Sequence, residues 1–284
     1  MAVLSVNHIK ELCKELDIKP SRKMGQNFLI DNDVLDDIIK TADLDKKDTV
    51  LEIGSGFGVL TQELVKKAGR VAVVELDRKI FDWLENRFND NDNLKLVQGD
   101  IIKLLNCYIV KLLGGVDYKV VANLPYQITS RVLRLLLEMK NKPKIIAVMV
   151  QKEVAERICA KKGKMSVLSV MVQYYGKPEI IRMVARKSFW PAPEVDSAIL
   201  YIKIQDTPQS FTTGQANSKF DEDFFKIVKI GFSSKRKMLK NNLANVYNPE
   251  AVEKILKEMG LGLKVRAQEL GVEEWIELVN KFLN

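Results

Sequence analysis

The residues with the most specific chemistry in this sequence are a tetrapeptide near its middle, Asn123-Leu124-Pro125-Tyr126. An apolar run, Lys119 to Ala122, precedes it and reads as a strand, so the four residues fall on a loop at a strand's carboxyl end. An exocyclic aromatic amine is a poor nucleophile, because its lone pair is delocalised into the ring. If the Asn123 side-chain oxygen and the Leu124 carbonyl both accept its N–H groups, they favour the pyramidal, electron-rich nitrogen that attacks an activated methyl group. No general base of high pKa is then needed. Pro125 fixes the local φ and has no N–H of its own, and Tyr126 offers a face on which a base can stack. The plainer reading is an Asn-containing turn beside a core tyrosine.

A nucleotide-sized ligand is indicated by a second segment, Glu52-Ile53-Gly54-Ser55-Gly56-Phe57-Gly58, set where a strand ends and a helix begins. Glycine there allows backbone angles and a close approach that a β-carbon blocks, which makes Gly54 and Gly56 candidate ligand contacts. About twenty residues further on, Glu75 ends the next strand, placed to accept both hydroxyls of a ribose. These features fit NAD and S-adenosylmethionine equally well. Gly99-Asp100 follows the third strand and brings a carboxylate to the same crevice, able to accept from an adenine amino group, although an Asp there is often only a helix cap. The tetrapeptide tips the balance toward S-adenosylmethionine.

The elements that position these residues alternate. Strand-like runs at Thr49 to Ile53, Arg70 to Val74, Leu94 to Val97, Lys119 to Ala122 and Ile145 to Val150 are separated by helical patterns such as Leu60 to Ala68, Ile80 to Phe88 and Ser130 to Met139. Alternation of this kind predicts an α/β fold with a wound, mostly parallel, Rossmann-like sheet. Two late strands, Glu179 to Val184 and Ala198 to Ile204, suggest an antiparallel edge hairpin. Residues 1–204 are then one domain, residues 205–220 a polar linker, and residues 221–284 a small all-helical domain with helices expected at Asp221 to Phe232, Ser234 to Leu243, Pro249 to Met259 and Val272 to Phe282.

A net charge of +8 and a pI near 9.2 favour a polyanionic partner, nucleic acid first. Cys13, Cys107 and Cys159 are scattered, without a C-x-x-C pair, and His8 is the sole histidine, so a disulfide framework, a multi-His metal site and a His-based triad all lack their parts. The expectation is a cytoplasmic protein with no metal, no leader and no membrane span.

Several ordered motifs together resemble the ribosomal RNA adenine dimethyltransferases of the small subunit, over nearly the whole length. They are Gly25-Gln26-Asn27-Phe28-Leu29, the Glu52 to Gly58 turn, Glu75, Gly99-Asp100, the Asn123 to Tyr126 tetrapeptide, and the run from Phe189-Trp190-Pro191-Ala192-Pro193 to Ala198. The resemblance implies a class I methyltransferase domain that uses S-adenosylmethionine. It has Asn27 and Leu29 contacting the cofactor, Gly54 lining its methionine end, Glu75 its ribose and Asp100 its adenine, with Asn123 serving both cofactor and target amine. Phe189 would sandwich a flipped adenine opposite Tyr126, and an aromatic face does offset the stacking lost by an extruded base. The plainer reading is a core Phe beside a proline turn.

The basic segment from Phe232 to Leu243, with Lys235, Arg236, Lys237 and Lys240 unopposed in sequence, resembles the small-subunit branch and suits phosphate contacts. The implied substrate is two neighbouring adenosines in the 3'-terminal hairpin loop of 16S rRNA within a pre-ribosomal 30S particle, approached by a monomer. Where the family usually has Asn-Ile-Ser and soon a Pro after the tetrapeptide, this chain has Gln127-Ile128-Thr129-Ser130-Arg131, a change in how the loop meets RNA rather than in the chemistry. Two other expectations stand beside this one: a large-subunit rRNA or DNA adenine methyltransferase, and a non-catalytic RNA-binding factor of the same fold.

Overall fold

A computed structural model describes residues 3–21, 25–105, 109–113, 115–205 and 218–283. Most of the linker expected at 205–220 and Cys107 lie outside the described residues. In chain order the elements are α1 (Val6–Glu15), β1 (Phe28–Leu29), α2 (Asn32–Ala42), β2 (Thr49–Ile53), α3 (Val59–Lys67), β3 (Arg70–Glu75), α4 (Arg78–Arg87) and β4 (Leu94–Gln98). There follow α5 (Ile101–Leu104), α6 (Ile109–Leu112), β5 (Lys119–Asn123), α7 (Thr129–Glu138), β6 (Ile145–Gln151), α8 (Lys152–Ile158), α9 (Val167–Tyr175), β7 (Gly176–Val184), β8 (Phe189–Trp190) and β9 (Ser197–Ile204). The last helices are α10 (Ser218–Gly231), α11 (Leu239–Leu243), α12 (Pro249–Glu258) and α13 (Val272–Leu283).

Seven strands form one sheet in the order β4-β3-β2-β5-β6-β9-β7, and β1 and β8 form a separate two-stranded ladder. Strands β2 to β6 pair in parallel, and β9 runs antiparallel to β6. Every residue of β2 is buried, as a central parallel strand covered on both faces must be, whereas edge strand β4 is only half-buried. The late strands lie as neighbours at the sheet edge, but β7 is longer than the sequence pattern suggests and residues 185–196 between them include β8. Strand β3 lies on one side of β2 and β5 on the other, so the chain leaves β2 in one direction and returns on the far side. Loops that follow two such strands diverge, and the crevice they leave at the carboxyl ends is where ligands bind in open α/β sheets.

Two compact units divide the chain, one comprising Met1–Ala155 and Pro178–Ile204, the other Glu156–Lys177 and Gln205–Asn284. The division falls at 204 as expected, but residues 156–177, which include α9, group with the helical unit rather than with the sheet. There the Tyr174 and Tyr175 hydroxyls donate to the two oxygens of Asp221 at 2.7 and 3.0 Å, and Tyr174 stacks on Phe224 at 4.3 Å. The other correction is local: of the helix expected from Ser234 to Leu243 only Leu239–Leu243 is helical, and the Lys237 N–H closes a turn on the Ser234 carbonyl at 3.1 Å.

Candidate active site

A cleft lies at the carboxyl ends of β2 and β5 and opens to solvent. Its lining includes Gly25, Asn27, Leu29, Glu52, Gly54, Gly56, Glu75, Asn123 and Pro125, residues far apart in sequence. Two glycines allow Pro125 to sit this close. Gly54, at φ +73°, would carry a Cβ 3.3 Å from the Pro125 ring, and Gly25, at φ +67°, one 2.9 Å from Pro125 Cβ and 2.7 Å from Gln127 Oε1. Any side chain at Gly25 would therefore displace both the proline and its neighbour.

The glycine turn is tied to the next strand by Glu75. One carboxylate oxygen accepts from the Gly56 N–H at 3.1 Å and the Ser55 hydroxyl at 3.3 Å, and the other from the Asp77 N–H at 3.0 Å. Burial raises the pKa of Glu75, and the hydrogen bonds from Asp77, Gly56 and Ser55 oppose that. Asp77 caps α4 and also accepts from Gln26 Nε2 at 3.0 Å, while Gln26 Oε1 accepts from the Ser21 N–H at 2.8 Å. Gln26 thus joins the segment before β1 to the start of α4.

Beneath the turn, Glu52 is 1% exposed and accepts from the Thr61 hydroxyl at 2.6 Å. Burial pushes its pKa up to about 8; the Thr61 bond lowers it and nearby Glu75 raises it further. The sequence pattern alone marks Glu52 only as the start of the turn. An acidic residue in an otherwise apolar β2, which is buried on both faces, is the signal that distinguishes it.

At the end of β5, Asn123 donates from Nδ2 to the Asn27 carbonyl at 3.1 Å, which fixes its amide and joins the tetrapeptide to the Gly25 to Leu29 segment. Leu124 is buried and donates its N–H to the Met149 carbonyl at 3.1 Å. The Pro125 carbonyl accepts from the Ile128 N–H at 3.1 Å and the Thr129 hydroxyl at 3.2 Å, so the loop after it is a closed turn. Tyr126 is half-buried, with its hydroxyl 2.6 Å from Ser197 Oγ. Leu29 pairs with Phe189 in the β1–β8 ladder, and Phe28 packs on Phe57 at 4.5 Å between ring centroids.

Three candidates stand differently from the sequence expectation. Phe189 is 2% exposed in a core with Leu29, Ile38, Val121 and Met149, so its ring presents no open face to a base. Asp100 is absent from the cleft lining and caps α5, its Oδ1 accepting from the Ile102 N–H at 2.9 Å. Lys240 is not unopposed: its Nζ lies 2.7 Å from Glu253 Oε1, one helix away. Lys235, Arg236 and Lys237 are exposed on the turn before α11.

The sheet order, the glycine turn with its acidic partner, and an Asn-Leu-Pro-Tyr loop at the crevice define a class I methyltransferase domain. The family model for ribosomal RNA adenine dimethylase matches residues 18–283. A ribosomal RNA small subunit methyltransferase A of Dehalococcoides mccartyi is 43% identical over 272 residues, covering 95% of this chain and 90% of the relative. One of the same name from Fusobacterium nucleatum is 38% identical over 271 residues, covering 94% and 99%. Among solved structures, a dimethyladenosine transferase from Plasmodium falciparum has a TM-score of 0.74 at 26% identity, covering 90% of this chain and 97% of its own. The 23S rRNA methyltransferase ErmE has a TM-score of 0.70 at 25% identity, covering 91% and 100%. The chain belongs to the ribosomal RNA adenine dimethylase family, and it is an enzyme of that class.

Proposed function

We propose that this protein uses S-adenosylmethionine to dimethylate N6 of two adjacent adenosines in the 3'-terminal hairpin loop of small-subunit rRNA, acting as a cytoplasmic monomer on a 30S precursor. The observation that carries the reading is the placement of Asn123 and Pro125 on one cleft with the Glu75-tied glycine turn. That cleft fits the cofactor. Gly54 and Gly56 line it on a turn whose positive φ angles favour glycine, and the Glu75 carboxyl at the end of β3 lines it too, offering acceptors to ribose hydroxyls. Among the described residues no helix is long and apolar enough to cross a membrane.

When bound, S-adenosylmethionine supplies an electrophilic methyl group. Asn27, Leu29, Gly54, Gly56 and Glu75 hold and orient the cofactor. Asn123 Nδ2 is already committed to the Asn27 carbonyl, which leaves the side-chain oxygen to accept an N–H of the target amine. The Leu124 carbonyl accepts the other, and the N6 lone pair is drawn out of conjugation as the charge develops. The methylated nitrogen releases its proton to water, and Tyr126 stacks on the purine meanwhile. Phe189 adds a second face only if ligand binding rearranges its core packing. Asp100 reaches the adenine only through the oxygen that does not cap α5. Lys235, Arg236 and Lys237 contact RNA phosphates.

The relatives named for the small subunit support that substrate. A large-subunit substrate is the second reading, favoured by the likeness to ErmE. Incubation with methyl-labelled cofactor and undermethylated 30S subunits tests the proposal. Label should enter the RNA. Tight binding without transfer would instead make the protein a non-catalytic assembly factor.

A further inference from the structure

The stacking residue of the tetrapeptide is held by a contact from outside the loop. Tyr126 Oη and Ser197 Oγ are 2.6 Å apart, and Ser197 is fully buried at the start of β9, opposite Gln151 at the end of β6. The residue before it is anchored twice, because the Asp196 carbonyl accepts from the Lys152 N–H at 3.0 Å and its Oδ1 from the Arg186 N–H at 3.0 Å. The serine oxygen is thus a fixed point at the start of β9, inside the sheet. Burial raises the pKa of the Tyr126 phenol, so its hydroxyl keeps its proton and can donate to that point. A bond at the far end of the ring sets where the side chain's long axis points. A phenolic O–H also prefers to lie in the ring plane, so the same bond biases the ring's rotation about that axis.

We propose that Ser197 is a positioning residue for methyl transfer: through the Tyr126 hydroxyl it fixes the face on which the target adenine stacks. The inference rests on the reading of Tyr126 as that stacking face. Without the bond the ring samples other orientations, and the adenine amine reaches Asn123 misaligned. Misalignment slows chemistry more than it weakens capture of a ribosomal particle, whose affinity comes mainly from phosphate contacts.

The test uses the full chain, methyl-labelled cofactor and undermethylated 30S subunits. Ser197→Ala removes one oxygen and Tyr126→Phe another, so neither opens a large cavity, and thermal unfolding checks that both fold. We expect each variant to lower kcat about tenfold, with KM for subunits and cofactor affinity within about twofold of wild type. The double variant should be no slower than the slower single, as two ends of one interaction require. Wild-type kcat in Ser197→Ala, or multiplying losses in the double variant, would overturn the proposal. Tyr126→Ala separates the two levels. If it is inactive while Ser197→Ala turns over normally, only the positioning role falls; if it methylates normally, the stacking reading falls and takes this inference with it.

Discussion

The cleft of the sheet unit and the basic turn of the helical unit, the two places proposed for ligands, are built in opposite ways. In the cleft the side chains themselves are pinned: Glu75 holds Ser55, Gly56 and Asp77, Asn123 holds Asn27, and Glu52 holds Thr61. At the turn it is the backbone that is pinned. Asn242 Nδ2 binds the Gly231 carbonyl at 2.6 Å and the Ser234 carbonyl at 3.0 Å, while Lys235, Arg236 and Lys237 project into solvent. Chemistry on one nitrogen needs acceptors preset to within ~0.5 Å. Attraction to phosphates works through charge and counterion release and tolerates long, mobile side chains. On the proposed function, rigidity falls where the bond changes and exposed charge where the RNA is gathered in.

Substitutions in the cleft should therefore act on rate, and substitutions in the turn on salt-dependent affinity. The largest effect is expected from Asn123→Ala. Single-turnover transfer should fall by ~10³-fold or more, with cofactor affinity changing far less, because the lost acceptor matters most as the nitrogen attacks. Equal losses in both would reduce Asn123 to a cofactor ligand. Next, Glu75→Ala should weaken cofactor binding by ~10–100-fold by calorimetry, since it frees the glycine turn as well as removing the ribose acceptor.

At the turn, neutralising Lys235, Arg236 and Lys237 together should flatten the slope of log K against log salt for rRNA fragments by about 2. An unchanged slope would remove them from the interface. Lys240→Ala should change the slope less than any one of the three, because Glu253 already pairs with that ammonium.

A last contrast concerns stability against pH rather than rate or affinity. Glu52 has a pKa of about 8 folded against an ordinary value of 4.5, so between these pH values it is neutral in the folded chain and ionised in the unfolded one. Its burial therefore costs nothing below about pH 4.5, an increasing amount as pH rises, and most above pH 8, on the order of a few kcal/mol. Glu52→Gln should match wild type in Tm near pH 4 and exceed it at pH 8.5. A constant difference across that range would mean that Glu52 ionises freely.

Much of this arrangement was legible in the sequence where a local rule governed it. Residues Thr49 to Ile53 read as a strand because Val50, Leu51 and Ile53 make a short apolar run, as buried parallel strands do, and the Gly54 to Gly58 turn because its backbone angles favour glycine. Contacts made across long separations were not legible. The proline turn beside Phe189 pointed to a core position as the plainer reading, but nothing near it in sequence names Leu29, Val121 and Met149 as its neighbours, nor does the Lys240 neighbourhood announce Glu253. The basic segment was read as helix for a similar reason: Lys, Arg and Met are good helix formers, but the Asn242 bonds to the Gly231 and Ser234 carbonyls hold a turn there. Helix α9 belongs with the helical unit through its tyrosines and Asp221, a partnership that spans residues 174–221.

Position-resolved mass spectrometry of rRNA tests the central claim most directly, after the purified protein and S-adenosylmethionine have been incubated with undermethylated 30S and, separately, 50S subunits. The account predicts N6,N6-dimethyladenosine at two adjacent positions near the 3' end of the small-subunit RNA, and its loss with Asn123→Ala. Modification confined to large-subunit RNA, or methyl groups at any atom other than adenine N6, would contradict it.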